Sequence, residues 1–189
     1  TPSEATEWNS AGWMPEDALA WKQAGLDPEE ATTWKRVVPA PEVARQWADL
    51  GFDVNSALPW VDLQIGPSAA TSWQRIGLTP SDASHARSAR INPDIAERWL
   101  RAGRGLDEAI EWCCEGIRDP EAASQWAGQA VTPSEAKAWG TVAPSDHLDW
   151  LDQGFTPPVA ATWHAAGFEA VEADRWAKAG WSPDEATPA

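Results

Sequence analysis

The side chains able to do chemistry in this chain are few and poorly spaced for it. His85, His147 and His164 lie far apart. No His-x-x-x-His or His-Glu-x-x-His spacing places two imidazoles on one helical face, so no metal site is expected. Cys113 and Cys114 are adjacent. Vicinal thiols lack the Cys-x-x-Cys spacing of a redox or zinc pair, and they read as inert. The 29 acidic residues are numerous, but most sit where helices begin. There is no glycine-rich phosphate loop and no nucleophile elbow. The sequence therefore predicts no enzyme and no cofactor.

Tryptophan and arginine remain. There are 15 Trp, 3 Phe and no Tyr. A row of exposed indoles would stack on sugar rings or bases; the same indoles turned inward would form a core. Arginine is concentrated in one stretch. From 75 to 104 there are six arginines against Asp82, Asp94 and Glu97, a net charge of +3 in a chain of −15. Guanidinium groups recognise carboxylate and phosphate through paired hydrogen bonds. His85, Arg87, Arg90, Arg101 and Arg104 are thus the candidate lining of a site for an anionic ligand or acidic peptide, beside Ala86, which stands where a Trp is expected. The competing reading is that these arginines pair with acids of the chain itself.

The elements that would position these groups are written in the spacing. Trp8, Trp21, Trp34, Trp47, Trp60 and Trp73 are each 13 residues apart. After Ala86 come Trp99 and Trp112, then Trp126 and Trp139 after one inserted residue, then Trp150, Trp163 and Trp176 after a two-residue deletion. An alanine lies three residues before each position, except where His147 replaces it, and a proline usually precedes the alanine by three more. Trp13 and Trp181 share a second register position, directly after a glycine.

Each copy specifies one short helix by its ends. In Asp27-Pro28-Glu29-Glu30, Asp27 is the N-cap, Pro28 needs no amide at the first position, and Glu30 completes a capping box. Gly25 supplies a left-handed C-terminal residue, and Leu26 after it closes the preceding helix. Roughly 9–10 helical residues result, below the ~12–15 at which an isolated helix is stable. Neighbouring copies must therefore hold each helix. Alanine allows close approach and the indole fills the remaining volume, which favours Trp as core, with Trp13 and Trp181 as candidates for partial exposure. Burying an indole removes about 200 Å² from water, an upper bound of ~5 kcal/mol. Among the departures, Pro59 should distort or restart its helix, and His147 should mark a local repacking beside the deletion.

The expected fold is all-α: an α-solenoid or superhelix of short single-helix repeats, with residues 1–189 as a single array of about 14 copies, or a segment of a longer one. A net charge of −15 argues against nucleic acid as a partner. No apolar run approaches the ~20 residues of a membrane span. No secretory leader is visible, and the unpaired cysteines suit a reduced, cytoplasmic compartment; because the chain starts at Thr1, a trimmed form is the other reading. The functional expectation is a non-enzymatic scaffold binding a protein or peptide, with end-to-end self-association as a further property. The alternatives are a structural or self-assembling spacer and a carbohydrate or small-ligand binder using exposed Trp.

Overall fold

The computed structural model describes residues 2–187. Among them are fifteen short helices in tandem and no strand, an all-α arrangement consistent with a helical-repeat array. The chain forms two compact units, the first ending at His85 and the second beginning at Ala86. The first carries α1 (Pro2–Ser10), α2 (Pro15–Gln23), α3 (Pro28–Lys35), α4 (Pro41–Asp49), α5 (Val54–Asp62) and α6 (Pro67–Arg75). The boundary falls within α7 (Pro80–Ser88). The second carries α8 (Pro93–Arg101), α9 (Leu106–Cys114), α10 (Pro120–Gly128), α11 (Pro133–Ala138), α12 (His147–Asp152), α13 (Pro157–Ala165), α14 (Ala170–Lys178) and α15 (Pro183–Ala186).

Helix ends form as the residue types dictate. Asp27 accepts from the amides of Glu29 and Glu30, while the Glu30 carboxylate accepts from the Asp27 amide. Thr79 with Asp82 and Thr132 with Glu135 form the same reciprocal box. At the other end, the amide of the residue five after the Trp donates to the Trp carbonyl, as in Leu26 to Trp21, Phe52 to Trp47 and Phe155 to Trp150. This is the Schellman closure, and its apolar contact is present too. Phe52 meets Trp47 edge-on at 4.8 Å between ring centres, and Phe168 meets Trp163 at 5.2 Å. One residue thus seals its own helix while packing on that helix's indole.

Packing follows the alanine and tryptophan stripe. Ala31, Ala44, Ala57 and Ala70 are fully buried, as are Ala96, Ala109, Ala123 and Ala160 in the second unit. Every Trp is buried except Trp176 and Trp181. In the first unit α2 packs on α1, α3 and α4, and α3 packs on α4. In the second, α9 packs on α8, α11 on α10 and α13, and α14 on α12 and α13. Each unit therefore contains contacts between adjacent helices and between helices two apart. A Cβ-only alanine is what lets backbones approach closely enough for both.

The irregular copies adapt locally. α3 closes one residue early: Val38 takes the buried apolar position and its amide bonds the Trp34 carbonyl. A β-branched residue resists the left-handed conformation, and Pro39 offers no amide for the usual closure. Pro59 does not distort or restart α5, which runs unbroken from Val54 to Asp62. Its ring lies on the exposed face, and the carbonyl it frees belongs to Asn55, itself exposed, so the group is not sealed away from solvent. Near the deletion, α11 and α12 shrink to six residues each, and Pro144–Asp146 form a turn rather than the first turn of a helix.

Candidate functional site

Two groups of residues carry the functional question: the indoles and the arginines. The indoles do not form an exposed row. Trp34, Trp47, Trp60 and Trp73 in the first unit, and Trp99, Trp112, Trp126 and Trp150 in the second, are buried against alanines. Trp99 even directs its Nε1–H inward, to the Arg118 carbonyl at 3.1 Å.

The arginine-rich stretch is divided by the unit boundary. His85 lies exposed on α7 in the first unit, next to fully buried Ala86, which begins the second. His85 has its own interaction partners, as does Arg87. In the second unit Arg90 ends the turn after α7 with φ 57° and an exposed side chain. Arg101, at the C-terminus of α8, pairs with Glu97 at 2.6 Å but stays 76 % exposed. Arg104 is different. It occupies the turn position that is elsewhere apolar, its side chain is only 20 % exposed, its guanidinium pairs with Glu108, and its Nε donates to Ser124 Oγ at 2.9 Å. Trp13 makes the corresponding contact in the first unit, from Nε1 to Thr32 Oγ1 at 2.9 Å. Arg104 thus ties helices two apart, whereas Arg90 and Arg101 present charge to solvent. No protein-family model, curated protein or solved structure matches this chain.

The remaining candidates are structural in setting. His147 is buried at 3 % exposure, its ring 5.1 Å from Trp126 and 5.4 Å from Trp139, with Nδ1 at 3.0 Å from the Pro144 carbonyl. The imidazole fills the volume that a lost helical turn leaves open. Cys113 is buried and Cys114 exposed, and both are free thiols. Burial pushes the Cys113 thiol up from its ordinary value, with Arg118 acting in the opposite sense, so it is a poor nucleophile. Among the described residues no group of three or more His, Cys, Asp and Glu is placed to hold a metal, and no helix is long and apolar enough to cross a membrane.

Two features escaped the sequence reading. A cleft of about 240 Å³ opens between α1 and α2, lined by Ala5, Trp8, Trp13, Ala18 and Leu19 with Glu4 and Lys22 at its edge. Glu4 and Lys22 pair at 2.8 Å, and that bond is the largest of the influences that hold the Glu4 carboxyl below its ordinary value, the chain's terminal amine being the next. In the second unit, Leu148, Leu151 and Val171 are exposed on α12 and α14. The signal for the second was the residue types at register positions that other copies leave exposed: Leu148 stands where Leu58, 40 % exposed, stands in α5. The first had no local signal, because Ala5 and Leu19 occupy ordinary register positions.

Proposed function

We propose that this chain is a non-enzymatic helical-repeat scaffold that binds a protein or peptide. The observation that carries the reading is the separation of tasks along each copy. Alanine and tryptophan hold one helix to the next, and the solvent-facing positions differ freely from copy to copy, so a surface can be specified without altering the core. The exposed position held by Gln23 in α2 holds Arg36 after α3, Asp49 in α4, Asp62 in α5 and Arg75 in α6. In the second unit Arg87, Arg90 and Arg101 are each exposed and concentrate positive charge in one stretch of an otherwise acidic chain, and an acidic peptide segment is the partner that suits it. Arg101 bonds half-buried Glu97 through one nitrogen and is itself 76 % exposed, so the rest of its guanidinium is open to a partner carboxylate. A cytoplasmic setting belongs to the same reading and is supported by the two unbridged thiols.

Selection of peptides from a random display library on the immobilised chain tests this. Acidic peptides should be enriched, and Arg90→Glu with Arg101→Glu should accelerate their dissociation at least about tenfold while leaving the melting temperature unchanged. Failure to enrich any peptide, or peptides that bind the double variant equally well, would overturn the acidic-partner reading.

A further inference from the structure

Two ion pairs of the first unit share one spacing. Glu4 of α1 pairs with Lys22 of α2 at 2.8 Å, and Asp17 of α2 with Lys35 of α3 at 2.9 Å. In each, the third residue of one helix meets the residue after the Trp of the next. The same two positions hold Glu30 and Ala48 one copy later, and Val43 and Val61 in α4 and α5. An ion pair has become a pair of valines.

Nearby positions change in the same sense. Ala40 stands where Asp27 caps α3, and exposed Pro39 stands where buried Leu26 closes α2. An apolar groove of about 260 Å³ opens among the turn after α3, α4 and the turn after α5. Half-buried Val37, Val43 and Val61 line it together with buried Trp47 and Ile65. None of its ten lining residues is charged, in a chain where 23 % are. Gln64 and the Trp47 indole carry its only polar side-chain groups.

The backbone offers little more. The amides of Val37 and Val38 bond the Trp34 carbonyl, that of Gln64 bonds Val61, and that of Ile65 bonds Trp60. Pro39 and Pro67 have no amide to give. A peptide laid here would find few donors for its carbonyl groups. One helical turn, about 10 Å wide and about 5.4 Å long, is also larger than the groove.

We propose that this groove binds a small uncharged apolar molecule of one or two rings, carrying at most one hydrogen-bonding group, for which Gln64 is the partner. The volume lies just under the roughly 300–1,000 Å³ of ordinary ligand sites. The charge pattern sets the class of occupant. A charged group entering here would leave water without a counter-ion, because the two positions that supply opposite charges in earlier copies carry valine. The groove lies within the first unit and owes nothing to Arg90 and Arg101, which belong to the second.

Indole is the probe, with indoleacetate as its charged counterpart, each titrated into the whole chain while methyl resonances are followed by NMR. Saturable shifts are expected with indole at millimolar concentration, at the methyls of Val37, Val43, Val61 and Ile65, and indoleacetate should bind at least about tenfold more weakly. Val43→Glu with Val61→Lys reinstates the spacing of the Glu4–Lys22 pair. It should keep the circular dichroism and melting temperature of the wild type and lose about tenfold or more in affinity for indole. Val61→Phe fills the groove without adding charge and should weaken indole to a similar extent, so the test stands if the double variant does not fold. The absence of saturable shifts overturns the proposal. So do shifts of equal size at methyls throughout the second unit, indoleacetate binding as tightly as indole, or a folded variant that binds indole like the wild type.

Discussion

The helices α2 to α6 of the first unit and the pair α11–α12 of the second face the same packing problem with different material. In the first, each helix after α2 places a fully buried alanine three residues before an indole, and the neighbouring backbone comes close over it. In the second, two residues are missing, each helix loses about a turn, and His147 stands at the alanine position between Trp126 and Trp139. The comparison separates what the array requires from what it merely prefers. It requires filled volume and closed backbone ends. Alanine under indole is the usual solution, and an imidazole wedged between two indoles is another.

The largest test of that view is Trp47→Ala in α4. Trp47 is 1 % exposed and packs edge-on against Phe52. Its removal leaves a cavity that Ala44 cannot fill, and should cost about 3–5 kcal/mol in urea unfolding. A cost within ~0.5 kcal/mol, the range of a surface substitution, would show that the indoles are not what holds these helices.

His147→Ala is next in size and sharper in logic, because it restores the consensus residue. If alanine were preferred for itself, the change would stabilise. On the packing argument it opens a void between Trp126 and Trp139 and removes the Nδ1 contact to the Pro144 carbonyl. The expected result is a loss of about 2–3 kcal/mol. The converse change, Ala123→His in the fully buried position of α10, should also destabilise, there by overpacking of about 1–3 kcal/mol.

A smaller effect is expected at the turns. Ala130 holds the left-handed conformation at φ 60°, where Gly77 stands at φ 78° in the first unit. Left-handed backbone costs an L-residue with a Cβ roughly 1 kcal/mol. Ala130→Gly should therefore stabilise by up to about 1 kcal/mol. Gly77→Ala should destabilise by a similar amount, although a Cβ there would meet no atom within 4 Å. Equal melting temperatures for both variants and the wild type would show that the turn conformation is set without regard to this strain.

Much of this was legible from residue types alone. The capping box at Asp27, the closure by Leu26 and the burial of the alanine–tryptophan stripe all follow from local chemistry, because each copy states its own start, stop and buried face. Pro59 was misread because its effect depends on whether the freed carbonyl faces water, and no local pattern reveals that. The candidate arginines were legible as a charge but not as a set of roles: only the fold shows that Arg104 reaches Ser124, 20 residues on, while Arg101 remains in solvent. Trp13 and Trp181 are indistinguishable in their register position, and nothing local tells that the Trp13 Nε1–H reaches Thr32, 19 residues on.

The smallest expected effect concerns pH, and it distinguishes copies by their caps. Hydrogen bonds from the Thr132 amide and hydroxyl hold the Glu135 carboxyl below its ordinary value; the Ser56 amide and hydroxyl do the same for Asp53, and Thr79 does so for Asp82. A carboxyl lowered in the folded state contributes stability above its unfolded pKa, near 4, and loses it as pH falls through the folded value. These caps should therefore loosen on acidification below about pH 4, and the Glu4–Lys22 pair, whose carboxyl is also held below its ordinary value, should loosen in the same direction. The caps of α6 and α9 are Gly66 and Gly105, which carry no titrating side chain. Net charge acts in the opposite sense, since protonating unpaired acids relieves the self-repulsion of a chain at −15. A global melting temperature mixes the two effects, but amide chemical shifts followed through an acid titration do not. The amides of Thr132 and Ser56 should titrate while those of Ser68 and Ala69, in the first turn of α6, which holds no acid, move less. Equal movement at all four would mean that acid acts through net charge alone and that the boxes contribute no local term.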